Sequence, residues 1–176
     1  IGTGTMFALD TNSRISLSNN DGNTGNTVFG YKSLTNNGTV LGNVGADYNV
    51  AVGDLAMGTG TTTDATYNIA VGYKALEDIT DGDYNVSIGA QSGMGLTTGS
   101  TNVLIGTSAG LGLTAETYNV VVGHGAMGHA DPQADQCVAI GGASLAGNLT
   151  SAADGSVGIG YQSLNALTSG AGNTAV

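Results

Sequence analysis

Basic residues are almost missing from this chain. Three Lys plus Arg stand against thirteen Asp plus Glu in 176 residues, a formal net charge of -10. A nucleic-acid backbone calls for the opposite sign, so no nucleic-acid partner is expected. Attraction to anionic lipid is disfavoured on the same ground. No run of about 18 apolar residues occurs, so no membrane insertion by a helix is expected. One cysteine, Cys137, cannot build an intrachain disulfide framework. A single proline and the lack of a Gly-every-third-residue period set collagen aside. Tryptophan is absent and there are only two Phe, so a conventional globular core would be short of large side chains. Glycine is what the chain has instead. There are 31, where an average chain of this length carries about 12. Hydrophobic residues still make up 40%, too many for a disordered Gly/Ser linker. Thin stacked layers built from small residues reconcile these two facts.

The sequence repeats. Asn68-Ile69-Ala70-Val71-Gly72 returns as Asn49 to Gly53, Asn85 to Gly89, Asn102 to Gly106 and Asn119 to Gly123. Cys137 to Gly141 and Ser156 to Gly160 keep the pattern with the first residue changed. Asn26 to Gly30 begins the series, and Asn173 to Val176 matches the start of another unit. The anchor glycines are Gly53, Gly72, Gly89, Gly106, Gly123, Gly141 and Gly160, with successive spacings of 19, 17, 17, 17, 18 and 19. A near-constant period of this kind predicts a stack of similar units, each pairing only with its neighbours.

Each unit opens on a strand of period 2. Its β-branched pairs are Val50/Val52, Ile69/Val71, Val86/Ile88, Val103/Ile105, Val120/Val122, Val138/Ile140 and Val157/Ile159. The residue between them is small and rarely polar, so both faces are expected to be buried. The Val/Ile face is expected to line the main core, and the other to pack on a second leg of the same coil. Two or three brief strands per coil are expected. The glycine after each strand suits a tight turn with positive φ. After two variable residues a small residue follows (Ser33 through Ser163), and then Leu34, Met57, Leu76, Gly93, Gly110, Met127, Leu145 or Leu164. A further apolar residue recurs as Ile79, Leu96, Leu113, Leu149 and Leu167. The Asn positions Asn49, Asn68, Asn85, Asn102 and Asn119 are expected to stack as a hydrogen-bonded column. Residues 1–25 lie outside the repeat and read as a connecting segment, with short strands at 6–9 and 14–17 around a turn at 10–13. Residues 26–176 are the repetitive part, with an extra strand expected at 39–42. Arg14 is expected in a salt bridge.

Chemistry is sparse. His124 follows a turn glycine at a slot also filled by Asp54, Tyr73, Ala90, Thr107, Gly142 and Tyr161, which marks it, with His129, as solvated rather than metal-binding. Cys137 has no neighbouring base and reads as structural. Glu77, Asp78, Asp81 and Asp83 form a loose acidic loop, expected to be solvated, without the pattern of a calcium-binding β-roll. The glycine-rich pieces lack a P-loop ending. Tyr48, Tyr67, Tyr84 and Tyr118 precede the Asn positions and are expected to pack the turns, with a glycan surface as the alternative. Thr61 to Thr63 and Thr97-Thr98 show no regular register, which disfavours an ice-binding face. No paired carboxylates mark a glycosidase groove. The expectation is therefore no enzyme, no cofactor and no metal site.

A thin coil buries little, and the Val/Ile face is wide and continuous. Self-association is the simplest way to cover it. The units Asn68-Ile69-Ala70-Val71-Gly72-Tyr73-Lys74-Ala75-Leu76 and Ser156-Val157-Gly158-Ile159-Gly160-Tyr161-Gln162-Ser163-Leu164 resemble the head repeats of trimeric autotransporter adhesins of the YadA type. They are still more similar to the longer-period repeats of bacteriophage tail fibres. Residues 6–21 followed by Asn26 to Leu34 also resemble the region ahead of such repeats. The resemblance implies an all-β, homotrimeric, left-handed parallel β-roll, a β-solenoid fibre. It implies two further copies of the same chain as partners, with a cell-surface receptor or glycan as a possible ligand. It places the chain in a virion tail fibre or on a bacterial cell surface, as a structural segment supporting attachment. The alternative is the head domain of an adhesin that binds host or matrix surfaces. The repeat here is longer than the short adhesin repeat, which favours the tail fibre.

Overall fold

The computed structural model describes residues 25–35, 45–129 and 132–176, together with two short strands, β1 (Ala8–Leu9) and β2 (Ile15–Ser16). These two pair antiparallel, with Ala8 opposite Ser16, within the segments expected as strands. The turn at 10–13, the strand expected at 39–42 and Arg14 lie outside the described residues.

The repeats form one parallel sheet of nine strands: β3 (Thr27–Phe29), β4 (Val50–Val52), β5 (Ile69–Val71), β6 (Val86–Ile88), β7 (Val103–Ile105), β8 (Val120–Val122), β9 (Val138–Ile140), β10 (Val157–Ile159) and β11 (Thr174–Ala175). Their order in space is their order in sequence. Register never slips: Val50 lies beside Ile69, then Val86, Val103, Val120, Val138 and Val157. The partial last unit takes its place too, with Thr174 beside Val157. The chain is an all-β parallel β-solenoid.

Each regular coil carries one three-residue strand, not the two or three expected. The rest of the coil still bonds to the next one: Leu76 N–H donates to the Ser92 carbonyl at 3.1 Å, Gly93 to Ala109 at 2.9 Å and Thr80 to Thr97 at 2.9 Å. Left-handed backbone is what keeps these stretches from being strands. Three positions per coil adopt it. One precedes the Asn position (Tyr67 φ 58°, Tyr84 φ 56°, Thr101 φ 62°, Tyr118 φ 59°). Another is two residues after the anchor glycine (Leu55 φ 58°, Lys74 φ 57°, Gln91 φ 57°, Ser108 φ 55°). The third holds Leu34, Met57, Leu76, Gly93, Gly110, Met127, Leu145 and Leu164, with φ from 42° to 60°. Each non-glycine residue there costs roughly 1–2 kcal/mol of strain. Repetition offsets it, because every such turn donates into an identical turn one coil away.

The middle residues pack on the other leg of the coil, as expected, but the Val/Ile face, expected to line the main core, lies at the surface of the single chain. Buried Ala51, Ala70, Ser87, Leu104, Val121, Ala139 and Gly158, the middle residues, face inward. They meet the small residues Ala56, Ala75, Ala109 and Ala126 and the layer of Met57, Leu76, Ile79, Leu96, Leu113, Met127, Leu145 and Leu149, all buried. Nor is that interior restricted to small side chains. Leu104 fits because the facing layer holds glycine at that level, and Val121 is buried there too. A Cβ on Gly93 would lie 2.6 Å from Leu104 Cδ1, and one on Gly110 would lie 2.9 Å from Leu104 Cδ2. Where the middle residue shrinks to Ala or Gly, the layer carries Leu or Met. At these coils large and small side chains trade places between the two layers, as close packing favours.

Candidate functional site

The Val/Ile strip lies on the surface of the single chain. Ile69, Ile88, Ile105 and Ile140 are 37–40% exposed, and Val50, Val52, Val71, Val86, Val103, Val120, Val122, Val138, Val157 and Ile159 are half-buried. Phe29, 59% exposed, extends the strip at one end. The eight strands from β3 to β10 at about 4.8 Å make it about 34 Å long.

The anchor glycines bound this strip. Gly53, Gly72, Gly89, Gly106, Gly123, Gly141 and Gly160 have φ between 119° and 139°, a region that L side chains rarely adopt. Coil-to-coil contact forbids a side chain as well. A Cβ on Gly72 would lie 2.5 Å from the Gly89 carbonyl oxygen, and one on Gly89 would lie 2.6 Å from that of Gly106. At Gly160 no such contact exists, with nothing within 4 Å.

The Asn column forms as the sequence implies, and it holds the other end of each strand. Asn68 N–H donates to Asn49 Oδ1 at 2.8 Å, Asn85 to Asn68 at 2.9 Å, Asn102 to Asn85 and Asn119 to Asn102 at 3.0 Å each. The side-chain amides donate to turn carbonyls: Asn68 to Gly82, Asn85 to Gly99 and Asn102 to Glu116, all at 2.8–2.9 Å. All five are fully buried. Cys137 N–H still donates to Asn119 Oδ1 at 2.9 Å, but its own Sγ makes only long contacts to the Asp135 and Ala153 carbonyls. Asn119 Nδ2 is buried with no partner.

Tyr48, Tyr67 and Tyr84 stack face to face, centroids 5.0 Å apart, with interplanar angles of 11° and 2°. They are 48–58% exposed, so they form a ribbon along the flank rather than turn packing. The acids are not simply solvated. Asp83 Oδ1 accepts from the Thr66 N–H at 2.7 Å and its hydroxyl at 2.8 Å, and Asp78 accepts from Thr59 at 2.8 Å. Asp81 accepts from the Thr63 hydroxyl. Glu77 is nearly buried and pairs with Lys74 at 3.1 Å, which raises the Lys74 ammonium above its ordinary pKa. The aspartate spacing matches the coil repeat, so each reaches a donor one coil away. Threonine, too, is in register after all. Thr63, Thr80, Thr97 and Thr114 follow one another through backbone bonds of 2.8–3.0 Å. The Thr80 and Thr97 hydroxyls donate along the column, to the Thr97 and Thr114 carbonyls, which leaves neither O–H proton free to face water as an ordered lattice.

His124 and His129 are exposed, and Cys137 is fully buried. Burial pushes the Cys137 thiol above its ordinary pKa. Among the described residues no three His, Cys, Asp or Glu side chains are placed to hold a metal, and no helix is long and apolar enough to cross a membrane. The left-handed columns are what sequence reading missed. The signal was the interchange of Leu, Met and Gly at one slot, since glycine there marks a backbone need.

Comparison with family models, with curated proteins and with solved structures gives no match. The architecture therefore rests on the repeat geometry itself: about seven full turns of a parallel β-solenoid, typical of structural and fibrous proteins.

Proposed function

We propose that this chain is a structural segment of a homotrimeric attachment fibre of the bacteriophage tail-fibre type. The Val/Ile strip is its seam. One observation carries the reading: an unbroken β-branched strip in perfect register, left at the surface by the fold of one chain. Contiguous apolar surface of this kind marks an interaction face. The strip repeats once per coil over the whole rod, so its natural partner is another rod of the same pitch, another copy of the chain. The glycine column leaves no side chain at the strip's edge, which favours close approach of a second backbone. The role is mechanical rather than catalytic. Parallel ladders and a central seam hold a distal tip away from its base, outside the cell or on a virion.

The test is the mass in solution by light scattering. A particle of three 17.2 kDa chains is expected, and Ile88→Asp together with Ile105→Asp should lower it. A monodisperse single chain would overturn the seam.

A further inference from the structure

Three of the tyrosines form a ladder. Tyr48, Tyr67 and Tyr84 stand one coil apart, each ring centroid 5.0 Å from the next and the planes within 11° of parallel. Their backbones share one left-handed conformation, with φ of 59°, 58° and 56°. Tyr67 donates its N–H to the Asp47 carbonyl and Tyr84 donates to the Thr66 carbonyl, both at 3.1 Å. Successive rungs are therefore near-translations of one another. Each ring carbon lies about 5 Å from its counterpart on the next ring, the carbons beside the phenol oxygens included.

The ladder is bounded at both ends. Gly25 abuts Tyr48, where an added Cβ would meet Cδ1 at 2.7 Å. Beyond Tyr84 the position passes to Thr101, whose N–H donates to the Asp83 carbonyl at 2.9 Å. Tyrosine returns at Tyr118, two coils past Tyr84. Composition directs oxidation to such rings. Tryptophan, the other side chain that readily gives up a single electron, is absent, and the one cysteine is fully buried. The three rungs are exposed along the flank, so an oxidant in solution reaches them.

We propose that the ladder is an oxidative cross-linking site, at which Tyr67 and one stacked neighbour join as dityrosine and staple two adjacent coils. The oxidant is of the peroxidase and hydrogen peroxide class. Each phenol gives one electron to the oxidant and its proton to solvent. The two phenoxyl radicals then combine, and a carbon–carbon bond forms between the carbons ortho to the two oxygens. The hydrogens on those carbons leave as protons while the oxygens regain theirs. The pair has then lost two hydrogen atoms, and one hydrogen peroxide has become two waters. Stacking selects the partner, because the second ring is in place before the first is oxidised. The link closes a loop of 19 positions from Tyr48 to Tyr67, or 17 from Tyr67 to Tyr84. A coil held only by its neighbours is lost by peeling away from them, and a covalent rung resists that separation. The whole ladder belongs to one chain, so it does not depend on the trimer.

Treatment of the native protein with a haem peroxidase and hydrogen peroxide tests this, read by intact-chain mass, dityrosine fluorescence and peptide mapping. The expected product is a single chain lighter by two hydrogens, with Tyr67 joined to Tyr48 or Tyr84 and a higher urea midpoint than the untreated chain. Tyr67→Phe keeps the ring but leaves Tyr48 and Tyr84 about 10 Å apart, and should lower the within-chain yield about tenfold or more. Circular dichroism checks that this variant keeps the fold. Tyr118→Phe should leave the yield unchanged, and oxidation in urea should lose it. No within-chain link, a link that maps to other tyrosines, links between chains only, a yield that survives Tyr67→Phe or urea, or an unchanged urea midpoint would each overturn the assignment.

Discussion

The coils from Asn49 to Asn119 and the coils from Cys137 onward share one strand register but not one support. In the first group the Asn column is continuous, each carboxamide accepting from the next coil's backbone. In the second, Cys137 and Ser156 fill the same position, and Ser156 Oγ makes only a 3.4 Å contact to Gly170. The units from Gly123 onward are 18 and 19 residues long, but one unit of the first group, from Gly53 to Gly72, is 19 residues long as well. Where successive Asn stand 17 apart, the Asn amide reaches the carbonyl 14 positions on (Asn68 to Gly82, Asn85 to Gly99, Asn102 to Glu116). Length alone does not break the column, because Asn49, in a unit of 19 residues, still reaches the Ala65 carbonyl at 2.8 Å. Asn119 Nδ2, in the unit that runs on to Cys137, is left unpaired. The β ladder continues beyond Cys137, where the side-chain ladder has lost its Asn. Backbone pairing sets the register, and the Asn column adds rigidity where Asn fills the position.

The largest effect should separate the interior of the rod from its end. Gly72→Ala drives a Cβ into the Gly89 backbone and should cost about 4 kcal/mol or more. Gly160→Ala meets no atom and costs only what its φ of 119° imposes, about 1–2 kcal/mol. Urea midpoints at a fixed protein concentration would show this ratio, and equal losses would mean that close coil contact is not what selects glycine. Asn85→Ala comes next. It strips partners from the buried Gly99 carbonyl, the Asn102 N–H and the Asn102 side-chain amide, for about 3 kcal/mol. Ser156→Ala, by contrast, should cost about 0.5 kcal/mol in the same titration.

Two smaller effects sharpen the contrast. Cys137→Asn offers Ser156 the side-chain acceptor that each lower coil has, and should raise the thermal midpoint by the equivalent of about 1 kcal/mol. A fall would show that the Cys137 site is too tight for a carboxamide. In the native chain the buried thiol resists ionisation. Unfolded chains lose the thiol proton above its ordinary pKa of 9.0, while folded chains retain it. The folded state therefore binds more protons there, so this contribution to stability is complete below that ordinary pKa and declines as pH rises beyond it. Alkylation of Cys137 should accordingly stay slow at mildly alkaline pH in the fold and become fast in urea, read by mass spectrometry. Fast labelling of the native chain would place Cys137 on a mobile surface.

Much of this was legible in the residues. The anchor glycines gave the period, the β-branched pairs gave strand positions to the residue, and the Asn positions announced a buried polar column. The middle residues were legible as the face that packs inside the coil, but that this face holds the whole core of the single chain was not. In Val50-Ala51-Val52 both faces are apolar, so alternation marks two faces without saying which one the chain covers. Similarly, nothing local reveals that Tyr48, Tyr67 and Tyr84 stack. The rings that touch stand a whole coil apart in sequence, and their contact depends on three left-handed backbones aligning.

What the sequence determined by itself is the repeat, its strand and its register, since a parallel ladder with a near-constant period leaves each unit one neighbour to match. What only the tertiary structure decided is orientation. It turned the small middle residues inward because the left-handed turns bring Leu and Met over them. That left Val and Ile at the surface, free for a partner of the same pitch.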